Sequence, residues 1–198
     1  LVYVIEIEGK IMKLESLRLP LRVEHQLVIL LLGSADRPIP SKLHVHKELF
    51  ILTRTFPKLS ELFEFDAYRK GPFSRVAQDT LDDLIERGYV ISVGGSYALS
   101  EQGRAMYEDI VNGLRRKELI DTMKRIRDIY DKLSIDELLL LVYVTYPEYT
   151  VESEELRRII RRAPKIVDSL LRKGVITERR KEEILNKLKQ LLNITEKR

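Results

Sequence analysis

The chain has 198 residues, 33% charged and 44% hydrophobic, with no Cys and no Trp. That is enough apolar chain for one or two small cores, while zero Cys excludes disulfides, thiol catalysis and Cys-ligated zinc. No apolar run approaches the roughly 18 residues of a membrane span, and Glu6 and Glu8 interrupt the first apolar stretch, so no signal segment and a cytoplasmic location are expected.

Charge is unevenly spread. Residues 1–111 carry 14 basic against 16 acidic side chains, whereas 112–198 carry 21 against 15. Within 157–181 ten basic residues face only Asp168 and Glu178. Such a sign asymmetry points to a polyanion for the C-terminal part. The plain alternative is a solvated charged surface of a thermophilic protein, which the few amides, four Gln and three Asn, also fit.

In chain order, Val2–Leu14 reads as strand, turn and strand about Glu8-Gly9-Lys10. Val23–Leu32 is apolar enough for a buried helix that stops at Gly33. After the Pro38 and Pro40 loop, Ser41 caps a helix to about Thr55, with Val45, Leu49, Leu52 and Phe56 on its inner face. Pro57 opens a short helix, and Tyr68–Ser74 reads as a turn. Ser74 caps a helix burying Ala77, Leu81, Leu84 and Ile85, which Gly88 ends. Tyr89–Val93 and Ser96–Leu99 flank Gly94-Gly95, a two-residue hairpin signal, and Ser100 caps a helix to about Val111.

Beyond Asn112-Gly113, Leu119, Met123, Ile126, Tyr130 and Leu133 alternate four and three apart. That seam suits either a homodimer contact or packing within the chain. Ser134 with Glu137 predicts a capping box ahead of an apolar helix, Leu138–Val144. Ser153 is expected to cap the next helix, with Glu154 and Glu155 in its first turn. Pro164 is expected to open a further helix that ends at Gly174, and Thr177 to cap a last helix burying Ile184, Leu185, Leu188 and Leu191.

The stretch Leu81–Val90 aligns with Val167–Ile176, each an amphipathic helix, a glycine and a strand start. Their outer faces differ. The first exposes Asp79, Asp82, Asp83 and Glu86, which phosphates would repel, so those residues are candidates for a protein contact. The second exposes Lys165, Ser169, Arg172 and Lys173, and the helix before it Arg157, Arg158, Arg161 and Arg162. A helix-turn-helix divides its work this way, one helix on the backbone and one toward base edges, and Arg suits phosphate through its forked donors. A helical hairpin with a solvated Arg fringe fits the same residues.

Lys47-Glu48-Leu49-Phe50, then Tyr68-Arg69-Lys70-Gly71-Pro72-Phe73-Ser74, then Leu81, Leu84, Gly88 and Val90, and finally Tyr97-Ala98-Leu99-Ser100 with Gly103, form a pattern over Leu43–Gly103. It resembles the SocA-like domain, also called the Panacea antitoxin domain. The resemblance implies a modified winged helix, and a toxin neutraliser or proteolysis adaptor as readily as a DNA binder. It covers about a third of the chain and leaves the C-terminal 80-odd residues outside.

Chemistry is sparse. His44 and His46, two apart, fall on different helix faces and cannot share a metal as i, i+4 histidines do, and His25 stands alone. No Gly-rich phosphate loop or nucleophile elbow is present, so no metal, cofactor or catalytic group is expected. The expectation is a mainly α (α+β) protein: an N-terminal strand extension over 1–22, a winged helix with a small hairpin over 23–111, a connecting helix over 112–133, and a basic helical domain with a helix-turn-helix-like pair over 134–198. The expected function is a non-enzymatic transcription-regulator-like protein gripping duplex DNA. The alternative is an antitoxin-like or adaptor module that binds a protein such as a toxin and no DNA, in either case off the membrane.

Overall fold

The computed structural model describes residues 3–7, 10–14, 21–114 and 117–195, with side chains over 21–114 and 117–189. Within these residues it is mainly helical, with three separate two-stranded antiparallel sheets. The chain divides into two compact units, one of residues 1–65 and 74–131, the other of 66–73 and 132–198.

In the first unit, strands β1 (Tyr3–Ile7) and β2 (Lys10–Leu14) pair as the alternation predicts. The expected turn residues Glu8 and Gly9, and 15–20 of the expected extension, lie outside the described residues. Helix α1 (Val23–Gly33) is apolar on every side and buried on nearly every side, as a central core helix must be. Ser41 caps α2 (Lys42–Thr55) by accepting from the His44 amide at 3.3 Å. A 3-10 turn over Pro57–Glu61 follows.

Ser74 caps α3 (Arg75–Glu86), accepting from the Ala77 amide at 3.1 Å. Then β5 (Val90–Val93) and β6 (Ser96–Leu99) pair around Gly94 and Gly95. These two have φ of 60° and 85°, the tight primed turn that only residues tolerant of positive φ make. Ile39 bridges the other edge of β6, exchanging two backbone hydrogen bonds of 2.8 Å with Tyr97. Ser100 caps α4 (Glu101–Gly113).

The apolar seam lies in α5 (Glu118–Tyr130). Leu119, Met123 and Ile126 are buried in the first unit's own core, with Tyr130 packed against it. The intrachain alternative therefore describes the seam, and these side chains present no free dimer face. The helix expected to connect two domains is for the same reason part of the first.

One cation belongs to this core as well. Arg127, fully buried on α5, donates to the carbonyls of Leu31 (3.2 Å), Leu32 (2.7 Å) and Arg37, and pairs with Asp131 at 3.0 Å. Its fork thus satisfies carbonyls at the end of α1 that have no partner inside that helix. Burial and the facing Asp131 carboxylate push the Glu48 carboxyl beside it well above the usual range.

The second unit holds a hairpin that sequence reading takes for a turn: β3 (Asp66–Tyr68) against β4 (Gly71–Phe73), with Asp66 opposite Phe73 and Tyr68 opposite Gly71. Three-residue strands, one with a proline, carry no period to detect. Its helices are α6 (Ile135–Thr145), α7 (Leu156–Arg172) and α8 (Glu178–Thr195), with a 3-10 turn over Pro147–Thr150. The Ser134–Glu137 capping box forms with both its bonds, of 2.6 and 3.3 Å. Leu138–Leu140 and Tyr143 pack with Ile159, Val167, Leu170, Ile184 and Leu188 as this unit's core. Thr177 accepts from the Arg180 amide as the cap of α8, and the expected burial of Leu191 lies outside the described residues.

Two expectations fail here. The helix-turn-helix pair does not form: α7 is one 17-residue helix that runs through Pro164. Leu156, Ile159, Ile160, Ala163, Ile166, Val167 and Leu170 make one unbroken buried stripe across the proline, and its burial outweighs the roughly 3 kcal/mol a mid-helix proline costs. Nor does Ser153 cap α7 at the helix boundary: the helix starts at Leu156, Glu155 holds the cap position with no side-chain bond, and Glu154 precedes the helix. The parallel with Leu81–Val90 also ends at Gly174, because 175–177 lead straight to α8 without a strand.

Candidate nucleic-acid interface

The unbroken α7 sets the positions of the basic residues. Its core stripe faces α6 and α8, so the opposite side faces solvent over a length of about 25 Å. Arg157, Arg161 and Lys165 lie there four residues apart, all exposed and with no ion-pair partner among the described residues. Arg172 is exposed on the same side, beside Asp168, whose carboxyl Lys181 holds below its usual range through a 2.7 Å contact.

The other expected contacts are engaged elsewhere. Arg158 pairs with Asp136 at 2.8 Å and Glu155 at 2.6 Å, and Arg162 pairs with the second oxygen of Asp136. The hydrogen bond from Arg158, more than burial, decides the Asp136 carboxyl, which is held below its usual range. Lys173 reaches back to Glu137 at 2.7 Å and to the Lys132 carbonyl at 2.8 Å, and Ser169 bonds the same Glu137. Of the eight residues singled out, Arg157, Arg161, Lys165 and Arg172 thus form an open face. Arg158, Arg162, Ser169 and Lys173 tie α7 to the start of α6.

The acidic face of α3 is also largely engaged. Asp79 pairs with Arg75 at 3.1 Å, Asp82 with Lys42 at 3.1 Å, and Asp83 with His25 at 2.7 Å and Arg87 at 2.9 Å. Hydrogen bonds from Gln78 and Lys42 hold Asp82 below its usual range against the opposing effect of burial. Glu86 is exposed. The histidines have separate partners, His25 on Asp83, His44 on Ser41 and His46 on Gln78. Among the described residues no three His, Asp or Glu side chains gather as metal ligands, and no helix is long and apolar enough to cross a membrane.

Sequence reading misses the hairpin tip Tyr68-Arg69-Lys70-Gly71. The Glu154 amide donates to the Arg69 carbonyl at 3.0 Å, and Arg69 Nε reaches the Glu154 carboxylate at 2.6 Å. Tyr68 is half exposed, with its ring 5.1 Å from that of Phe73, and Lys70 is exposed. A Gly–Pro dipeptide signals the turn, but only tertiary structure brings it to α7. No family model matches this chain, and no curated protein sequence matches it.

Proposed function

We propose that this protein is a non-enzymatic, regulator-like nucleic-acid-binding protein whose second unit grips duplex DNA through the outward face of α7. The observation that carries this reading is the row Arg157, Arg161 and Lys165, exposed and without ion-pair partners among the described residues. Elsewhere on this helix Arg158 and Arg162 do find carboxylates, so the open row is not a shortage of nearby acids. Neighbours in the row are about 6 Å apart along the helix axis, while phosphates of one strand recur every 3.4 Å or so, so each cation takes its own phosphate. With no second helix to enter a groove, the grip is on the backbone and weakly selective for sequence.

The first unit, on this reading, is a winged helix. Support comes from its order, α1, the Ile39 bridge, α2, α3 and the β5–β6 hairpin. The adaptor or antitoxin-like alternative, in which α3 meets a protein, agrees with the resemblance over 43–103. It is the weaker reading because Asp79, Asp82 and Asp83 already have cationic partners.

The test is a salt titration of binding to a labelled duplex between about 50 and 200 mM salt. The triple variant Arg157→Ala, Arg161→Ala, Lys165→Ala is expected to flatten the slope of log K against log salt by about 2.7, at 0.9 per phosphate contact. A wild-type protein that binds no duplex at the low-salt end, or a triple variant with the wild-type slope, overturns the reading.

A further inference from the structure

The β3–β4 hairpin leaves the first unit's sequence and belongs to the second unit. Its attachment point is specific. Arg69 is held to Glu154 by a backbone and a side-chain hydrogen bond, and Glu154 lies three residues before Arg157. The neighbouring Ser153 hydroxyl meets the buried Tyr143 hydroxyl at 2.6 Å, which anchors this strap to the unit's core. The tip is therefore fixed at the N-terminal end of α7, the end that carries Arg157 and Arg161.

The side chains at the tip divide by role. Arg69 is used for attachment. Tyr68 and Lys70 are not: Tyr68 is 50% exposed, and Lys70 is exposed with no ion-pair partner among the described residues. An aromatic ring left half in water beside an unneutralised lysine, next to a row of arginines, is a combination that nucleic-acid surfaces use. The contact of Tyr68 with Phe73 holds its ring in place, so less freedom is lost when a ligand covers the outer face.

We propose that the hairpin tip and the N-terminal half of α7 form one composite nucleic-acid surface. Lys70 holds a phosphate beyond the end of the helix, and the Tyr68 ring lies against the sugar of the same strand. The inference rests on the duplex-binding reading of α7 and extends it by two residues from a distant part of the sequence.

The experiment is the same salt titration on the 198-residue chain, with Lys70→Ala, Tyr68→Ser and, as a control for net charge alone, Lys124→Ala, an exposed lysine of α5 in the first unit. Lys70→Ala is expected to lower the slope by about 0.9, and Lys124→Ala to leave it unchanged. Tyr68→Ser carries no charge change, so it is expected to weaken binding by the same factor at every salt concentration, with the slope intact. If Tyr68→Ser lowers the melting temperature, Lys70→Glu carries the test alone, because it removes no packing and should flatten the slope by more than Lys70→Ala. Wild-type slope and affinity in the Lys70 and Tyr68 variants, alongside a flattened slope in the α7 triple variant, overturn the composite surface and keep the helix reading. A triple variant with the wild-type slope overturns the helix reading itself.

Discussion

His46 shows how burial decides the charge of a single side chain. It sits inside α2, almost wholly buried, and desolvation, with Lys47 and Lys42 nearby, lowers its pKa to about 4 despite the bond to Gln78. The unfolded chain binds a proton there near pH 6.5 and the folded chain only near 4, so this residue's contribution to stability is complete above 6.5 and is lost as pH falls through that window. The loss from this residue reaches up to about 3 kcal/mol. Urea midpoints measured across that range are expected to fall less steeply for His46→Gln than for the wild type. His25, whose pKa is also lowered by burial, is retained in both and cancels in the comparison. Glu48 acts in the opposite sense: its folded pKa is raised, so its contribution is complete below its unfolded value and lost as pH rises. It too is common to both proteins.

At the scale of an element, Pro164 decides between one helix and two. A proline at the first position of a separate helix is favourable, because the missing amide has no partner to lose. At an interior position the missing amide forfeits the bond to the carbonyl four residues back, and the ring crowds that carbonyl. In α7 the proline has eight helical residues before it and eight after, so Pro164→Ala is expected to stabilise the protein by about 1–2 kcal/mol once the greater freedom of the unfolded alanine chain is allowed for. Denaturant unfolding checks this, and a destabilised variant would argue for a helix boundary at 163–164. The same continuity sets the site: only in an unbroken helix do residues 157, 161 and 165 form a row on one side.

For the whole molecule, the division into units does not follow the order of the chain. Residues 66–73 lie between α2 and α3 in sequence but belong to the second unit, where Gly71 and Pro72 are buried. A chain ending at Asp131 keeps that hairpin and lacks α6, α7 and the Glu154 strap. Limited proteolysis with mass analysis is expected to cut this fragment within 66–73 while sparing the segment in the full chain, because backbone that loses its hydrogen-bond partners and burial opens to proteases. Protection of 66–73 in the fragment would mean that the hairpin is stable without the second unit.

Local rules sufficed where the cause of a structure is local. Ser41, Ser74, Ser100 and Thr177 cap helices because a side-chain oxygen satisfies an amide two or three residues on, and Gly94-Gly95 turns a hairpin because both residues adopt positive φ. These facts are written within a few residues of the chain, and so is the excess of cations in 157–181. Tertiary structure decided whatever depends on a distant partner. It buried Leu119, Met123 and Ile126 in the first unit's own core, drew Arg127 under the end of α1, and carried the helix through Pro164 on a continuous apolar stripe. It gave Asp136 two of the arginines and left Arg157, Arg161 and Lys165 open, and it tied Arg69 to Glu154 across 85 residues. A sequence states which charges exist, whereas which of them remain free for a ligand depends on carboxylates that only the fold brings within reach.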